Sequence, residues 1–209
     1  MMKIRLFMAV LAAVAFASPL QAQGSGMPAI EARVGGAIPR GDLAAGHGPD
    51  AGAGYGLGLE VQWPITRNIL AFAGYHHAEL TCGSCGGVAL EDRMVDAGPE
   101  AGVLFRLGFG AIAWGWDDPG REFEMWARGG VIRRQLKFFA DDRAIASDPG
   151  FGYTVGGGVA FPLGDALTIA PGVHYRSYRA NFAFESLPDR SQRVAQLGVE
   201  LGISYSFRR

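Results

Sequence analysis

The sequence has no charge imbalance, no long apolar run beyond its first residues, little helical periodicity and little cysteine. Nineteen Lys and Arg stand against 20 Asp and Glu, a net charge of −1. Such a balance gives no basic footprint for nucleic acid or another polyanion. After residue 22 no stretch approaches the ~20 apolar residues that a spanning helix needs, so any passage through a bilayer must be made by strands. Few segments hold a 3.6-residue period. The only cysteines, Cys82 and Cys85, stand together in TCGSCGG. One C-x-x-C supplies too few ligands for structural zinc. Glycines surround it, and no helix follows to lower a thiol pKa for redox chemistry.

Glycine is abundant, at 32 of 209 residues, roughly twice the usual ~7% share. It follows no collagen period and is scattered through apolar stretches, which suits strands bending around a tight barrel. The N-terminus has the layout of a secretory signal: Lys3 and Arg5, an apolar run from Leu6 to Phe16, then Ser18-Pro19-Leu20-Gln21-Ala22. Cleavage is expected after Ala22, with Ala15-Phe16-Ala17 as the alternative. Residues 1–22 are thus expected to be a signal peptide and 23–209 one β domain. In an oxidising compartment Cys82 and Cys85 are expected to form a loop disulfide.

Alternation dominates the rest. QLGVELGISYSFRR places Leu197, Val199, Leu201, Ile203, Tyr205 and Phe207 on one face, with Gly198, Glu200, Gly202 and Ser204 on the other. Successive strand side chains point to opposite sides, so one face is wholly apolar. YGLGLEVQW, FGYTVGGGVAF and LTIAPGVHY alternate in the same way, and AIEARVGGAI sets Ile30, Ala32, Val34 and Ile38 against Glu31, Arg33 and Gly35. Two hairpins align without a gap, 98 residues apart: Trp63-Pro64-Ile65 falls on Phe161-Pro162-Leu163, and His76 on His174. That repeat predicts that Ile69, Ala71, Ala73 and Tyr75 share a face, as Leu167, Ile169, Pro171 and Val173 do.

Adding strands at about 93–105, 122–138 and from 193 gives eight. Longer polar loops are expected at 39–53, 80–92, 140–149 and 179–192, and tight turns at 64–68 and 162–166. The stretch 106–121 is long where a short turn is expected; it reads as strand extension plus an elaborated turn, because one further strand would break the even count of such barrels.

A soluble barrel turns its apolar face inward, whereas a membrane barrel turns it to lipid and keeps a polar lumen. Aromatic placement chooses between them. Trp63, Phe161, Tyr205 and Phe207 lie at strand ends near the tight turns, and Tyr55, Phe151, Tyr153 and Tyr175 at the ends near the long loops. Two aromatic girdles around an aliphatic band match two lipid–water interfaces. The opposite face carries Glu31, Glu60, Glu100, Glu124 and Glu200 with Arg33, Arg106, Arg128 and Arg176. An eight-stranded barrel is just wide enough for side chains to fill it. Acids and bases inside it are expected to pair, since an unpaired buried ion costs several kcal/mol. Glu31, Arg33, Glu60, Glu100, Arg128, Arg176 and Glu200 are the expected luminal network.

GYTVGGGVAFPLGDALTIAPGVHYRSY, the terminal LGVELGISYSF, the leader and the alternation of long loops with tight turns resemble the small outer-membrane β-barrel family, which includes the barrel of outer membrane protein A and outer membrane protein X. The resemblance implies an eight-stranded antiparallel up-and-down transmembrane β-barrel in the cell outer membrane. Its expected neighbours are outer-membrane lipid and lipopolysaccharide, with no nucleic acid and no second subunit. Family members finish on an aromatic residue read by the barrel-assembly machinery; Phe207 stands two residues before the end here.

The resemblance also raises catalysis on lipid A. The deacylase type has His and Ser two apart on a lipid-facing strand, but HYRSYRAN puts Arg176 two after His174, and Ser177 on the opposite face. His76, His77 and Glu79 are the remaining acid–base candidates, with no serine matching them. A metal at His76 and His174 lacks a third ligand, and WGWDDPG at 114–120 reads as an interface turn rather than a carbohydrate or cation site. No catalytic, metal or cofactor site is therefore expected. The expected role is a non-enzymatic anchor displaying four loops. The alternatives are a narrow channel for ions or small hydrophobic solutes and a lipid A-modifying enzyme. Arg40-Gly41-Asp42 is an adhesin-like tripeptide frequent by chance.

Overall fold

The computed structural model describes residues 27–41, 51–82, 93–109, 123–140, 143–164, 166–184 and 187–207. They form nine strands: β1 (Ala29–Gly41), β2 (Ala51–Pro64), β3 (Ile69–Cys82), β4 (Arg93–Phe109), β5 (Phe123–Ala140), β6 (Arg143–Ala146), β7 (Gly150–Leu163), β8 (Leu167–Phe184) and β9 (Leu187–Ser206). Each long strand pairs antiparallel with its neighbours, β1 with β9, and β4 with β5, so eight staves close on themselves. Closure leaves no open edge among the staves. The ninth strand, β6, is no stave: it folds back on the upper end of β5, pairing Lys137 with Ala146.

The predicted faces follow the alternation. Ile69, Ala71, Ala73 and Tyr75 point outward together while Leu70, Phe72 and His76 are buried. Outward positions form a continuous apolar surface that includes Leu57, Leu59, Val131, Val173, Val199 and Leu201, each between 40 and 65% exposed. Tight turns close one end. Thr66 Oγ1 accepts from the backbone N–H groups of Asn68 (3.3 Å) and Ile69 (3.1 Å) between β2 and β3. Between β7 and β8, Gly164 adopts φ 75°, a conformation that glycine takes without steric cost. Both ends of the described chain lie here, with the Phe207 N–H donating to the Pro28 carbonyl.

The opposite end departs from expectation in two places. Residues 179–192, expected as a loop, are largely strand: β8 and β9 continue in register to Phe182 and Arg190, with an irregularity before Phe184 and Leu187. Residues 140–149 contain β6, and an isolated bridge from Asp148 to Asn181 ties that segment to the β8–β9 hairpin. Alternating residues in both stretches satisfy the strand pairing, so polar composition here marks strands standing clear of the apolar band. In the 106–121 stretch β4 extends to Phe109; residues 110–122, including Asp117 and Asp118, lie outside the described residues.

Candidate functional site

The barrel interior is stacked in three layers. Near the tight turns, Leu70, Phe72, Leu104, Trp126, Ala160 and Ala170 pack together. Towards the other end, Leu80, Met94, Ile132, Leu136, Tyr178 and Phe182 form the centre of a second apolar cluster. Between them lies a buried layer of acids and bases.

Four strands supply the lower half of that layer. Arg33 donates to Glu31 (2.5 Å) and Glu60 (2.8 Å). Gln62 bridges the same two carboxylates at 2.7 and 2.9 Å. Arg128 spans Glu60 (2.8 Å) and Glu100 (3.1 Å), and its guanidinium lies 3.6 Å from the centre of the Phe72 ring. At the rim Arg106 donates to Gln62 at 2.7 Å and stands 3.9 Å from the half-buried Glu124. A cavity of about 10 Å³ is lined by Glu31, Arg33, Arg106 and Trp126, space for about one water molecule.

Glu100 links this half to the upper one, because Arg134 donates to its second oxygen at 3.0 Å and Arg176 at 3.4 Å. Arg176 also grips Glu200 with both terminal nitrogens, at 2.5 and 3.2 Å. His76 Nε2 lies 3.4 Å from one Glu200 oxygen, and His174 Nε2 lies 3.6 Å from the other. Arg134 reaches His76 Nδ1 at 2.9 Å. A guanidinium has only donors, so Nδ1 accepts and the neutral ring carries its proton on Nε2, facing Glu200. Above, Tyr178 donates to Asp96 at 2.9 Å, and Arg134 stands 4.0 Å from the same carboxylate. Glu31, Glu60, Glu100 and Glu200 thus each accept two or more hydrogen bonds, the condition under which burying ions is tolerable, while Asp96 accepts from Tyr178.

Small residues make room for these arms. A side-chain carbon at Gly198 would sit 2.7 Å from Glu200 Oε1, and one at Gly202 the same distance from Glu31 Oε1. Gly158 and Gly172 pair across β7 and β8, and both lie beneath the Trp126 ring.

The pairing registers expose an internal two-fold relationship. Gly58 opposes His76 and Glu60 opposes Gly74; at the equivalent positions Gly156 opposes His174 and Gly158 opposes Gly172. The next strands continue it: Gly74 opposes Glu100, and Gly172 opposes Glu200. On the other side Gly58 opposes Arg33, and Gly156 opposes Arg128. The charged layer therefore contains the same trio twice, Arg33, His76 and Glu100 in one half and Arg128, His174 and Glu200 in the other.

The seven residues expected in the lumen, Glu31, Arg33, Glu60, Glu100, Arg128, Arg176 and Glu200, lie 3 to 6% exposed within this one network. Arg134, Asp96, Gln62 and Tyr178 were not anticipated in it. Counting alternate residues onward from Arg128 and back from Glu100 reaches Arg134 and Asp96, so that signal was available. Of the expected girdle, Trp63, Phe161, Tyr205 and Phe207 face outward at one end, and Tyr55, Phe151 and Tyr153 at the other; Tyr175 is half-buried beside Tyr153, with ring centres 6.1 Å apart. Trp126 departs from the pattern by pointing inward, where His174 lies 5.3 Å from it, centre to centre.

The catalytic candidates are split by the sheet. His76 points into the lumen, while His77 and Glu79 lie on outward positions. Glu79 accepts from the Tyr55 hydroxyl at 3.0 Å and lies 3.6 Å from Arg93. Ser177 and His174 likewise occupy opposite faces. Among the described residues no group of three His, Cys, Asp or Glu side chains is arranged to hold a metal ion. Cys82 ends β3; Cys85, and with it the expected disulfide, lies outside the described residues. Arg40 is exposed and Gly41 ends β1, but Asp42 also lies outside them.

No family model and no curated protein matches the sequence. Solved structures do match. Neisserial surface protein A aligns with a TM-score of 0.57 at 11% identity, over 86% of this chain and 97% of that one. The outer membrane protein AlkL, determined in lipid bilayers, aligns with a TM-score of 0.52 at 14% identity, over 89% and 92%. OprG, an outer membrane protein from Pseudomonas aeruginosa, aligns with a TM-score of 0.50 at 15% identity, over 90% and 99%. With the closed ring of staves, these alignments establish that the chain has the fold of the small eight-stranded outer-membrane β-barrels.

Proposed function

We propose that this chain is an outer-membrane barrel serving as a sealed, non-enzymatic anchor for its long-loop end. One observation carries the reading: the barrel is inside out. Its outer surface is an exposed aliphatic band edged by aromatics, while its acids and bases fill the lumen. In water that arrangement would leave the band in contact with solvent; in a bilayer the hydrocarbon covers it and Tyr and Trp settle at the interfaces. The lumen is packed in series by an apolar layer, a paired ionic layer and a second apolar layer, which supports an anchor over an open pore. The β8–β9 hairpin and β6 extend beyond the band and would present the interaction surface.

The experiment is refolding of the full chain into detergent and then vesicles. A compact band that changes mobility only after boiling is expected on a gel, together with a silent planar bilayer. A detergent-independent soluble monomer would end the membrane reading, and steady single-channel steps would replace the anchor with a channel. A mass change in lipid A on expression, lost in a His77→Ala/Glu79→Ala variant, would replace it with an enzyme.

A further inference from the structure

The buried ionic layer is short of positive charge. Among the described residues, five carboxylates (Glu31, Glu60, Asp96, Glu100 and Glu200) and four guanidiniums (Arg33, Arg128, Arg134 and Arg176) are at most 6% exposed. Arg106 and Glu124 stand 3.9 Å apart at the rim, both partly open to solvent, and balance each other. One negative charge is left over inside, and an uncompensated buried ion neutralises rather than staying charged.

The layer offers few places for the missing charge. His76 Nδ1 accepts from Arg134, so a second proton on that ring would meet a donor. His174 Nδ1 has no hydrogen-bond partner to which a second N–H could donate. Glu100 already receives Arg128, Arg134 and Arg176, and Glu200 both terminal nitrogens of Arg176. Asp96 faces only Ala78 and Leu136 across its strands. Glu31 and Glu60 differ, because as direct partners on β1 and β2 they set two like charges opposite each other. Arg33 and Gln62 each bind both, so the same two donors draw the carboxyls together. Carboxyls confined in this way share a proton. Ser204, 1% exposed and directly opposite Glu31, adds a buried hydroxyl with no partner among the described residues.

The pair is reached from the tight-turn end, where the water-sized cavity is lined by Glu31, Arg33 and Arg106. Two guanidiniums in that wall repel a metal cation, whereas a water there can pass a proton to Glu31. Towards the long loops, the second apolar cluster lies between the layer and the mouth.

We propose that Glu31 and Glu60 form a binding site for a single proton, taken up from the tight-turn side, which completes the charge balance of the lumen and makes the stability of the barrel pH-sensitive. Such a site needs the closed barrel but not the anchor role. The other charged groups facing the pair are Arg33 from β1, Arg128 from β5, Glu100 and Arg106 from β4, and Glu124 from β5 at the rim. Gly74 of β3, Ala160 of β7, Ala170 of β8 and Gly202 of β9 complete the surroundings and do not titrate. In the unfolded chain both carboxyls are ionised above about pH 5. The folded state then holds one proton more, so stability falls as pH rises through the titration of the site. The folded-to-unfolded ratio drops about tenfold per pH unit there. Histidines that stay neutral in the fold act with the opposite sign, below about pH 6.5.

The test is urea unfolding of the full refolded chain in phosphatidylcholine vesicles between pH 6 and 9, with carbon-13 NMR of the glutamate-labelled protein in detergent. In the parent the urea midpoint should fall as pH rises, and one glutamate carboxyl signal should move over the same range. E60Q and E31Q each supply an amide in place of the neutral acid. Both should keep a level midpoint above pH 7, exceed the parent at pH 9 and lose the moving signal, whereas E124Q at the rim should behave as the parent does. A parent midpoint that does not fall, a fall that persists in both E31Q and E60Q, or the absence of any titrating glutamate signal would each overturn the site.

Discussion

His76 and His174 approach the same carboxylate from equivalent positions of the two repeated hairpins, 3.4 and 3.6 Å from the two oxygens of Glu200. Arg176 holds those oxygens as well. Replacing Glu200 by Gln keeps the shape and removes the charge, leaving Arg176 short of its closest counter-ion. Breaking one side of a buried pair costs about 3–5 kcal/mol. A urea unfolding midpoint in vesicles should fall accordingly, and an unchanged midpoint would show that Glu100 alone satisfies Arg176.

The Arg128 guanidinium against the Phe72 ring offers a separable contribution. The contact is desolvated, and such cation–aromatic pairs contribute about 2 kcal/mol. A double-mutant cycle with Phe72→Leu and Arg128→Met should return a coupling energy of that order. Additive effects would mean that the two side chains merely pack.

Glycine substitutions should divide by face. A Cβ at Gly172 would run into the Trp126 indole, whereas one at Gly129 meets nothing within 4 Å. Gly172→Val is therefore expected to abolish the compact band or sharply reduce its yield, and Gly129→Ala to leave it unchanged. Normal assembly of Gly172→Val would show that the indole has another place to go.

Polarity of the outer band can be measured directly. Leu201→Arg places a charge on an outward position of β9, and a basic residue at a bilayer midplane costs about 2–4 kcal/mol. The penalty should appear as a lower unfolding free energy in vesicles. Equal stability of the variant and parent there would place Leu201 away from hydrocarbon.

Much of this arrangement was legible because a barrel stave has a period of two and one error of register would turn every side chain over. Glu60, Arg128 and Glu200 were found by that parity alone, and the gapless repeat fixed the phase of β3. Two things were not legible. Composition marked 179–192 as loop because its residues are polar, yet outside the apolar band polar residues suit a strand as well as apolar ones do. Trp126 shares the parity of Glu124 and Arg128, but how so large a ring fits a narrow lumen is not encoded along its own strand; the facing pair Gly158 and Gly172, on other strands, provides the room. Partnerships such as Arg134 with His76 and Glu100 depend on distances across the lumen, which alternation along single strands does not encode.

The matched registers around His76 and His174 have a topological consequence. A cylinder whose repeating unit is a hairpin can enlarge only by whole out-and-back excursions, never by a lone stave. Its first and last residues must then emerge on the same side however many copies are made. Here both halves carry the arginine, histidine and glutamate, but where one has Glu31 and Glu60 the other has Trp126 and Gly158, so one half is closed by an aromatic stopper and the other by ions.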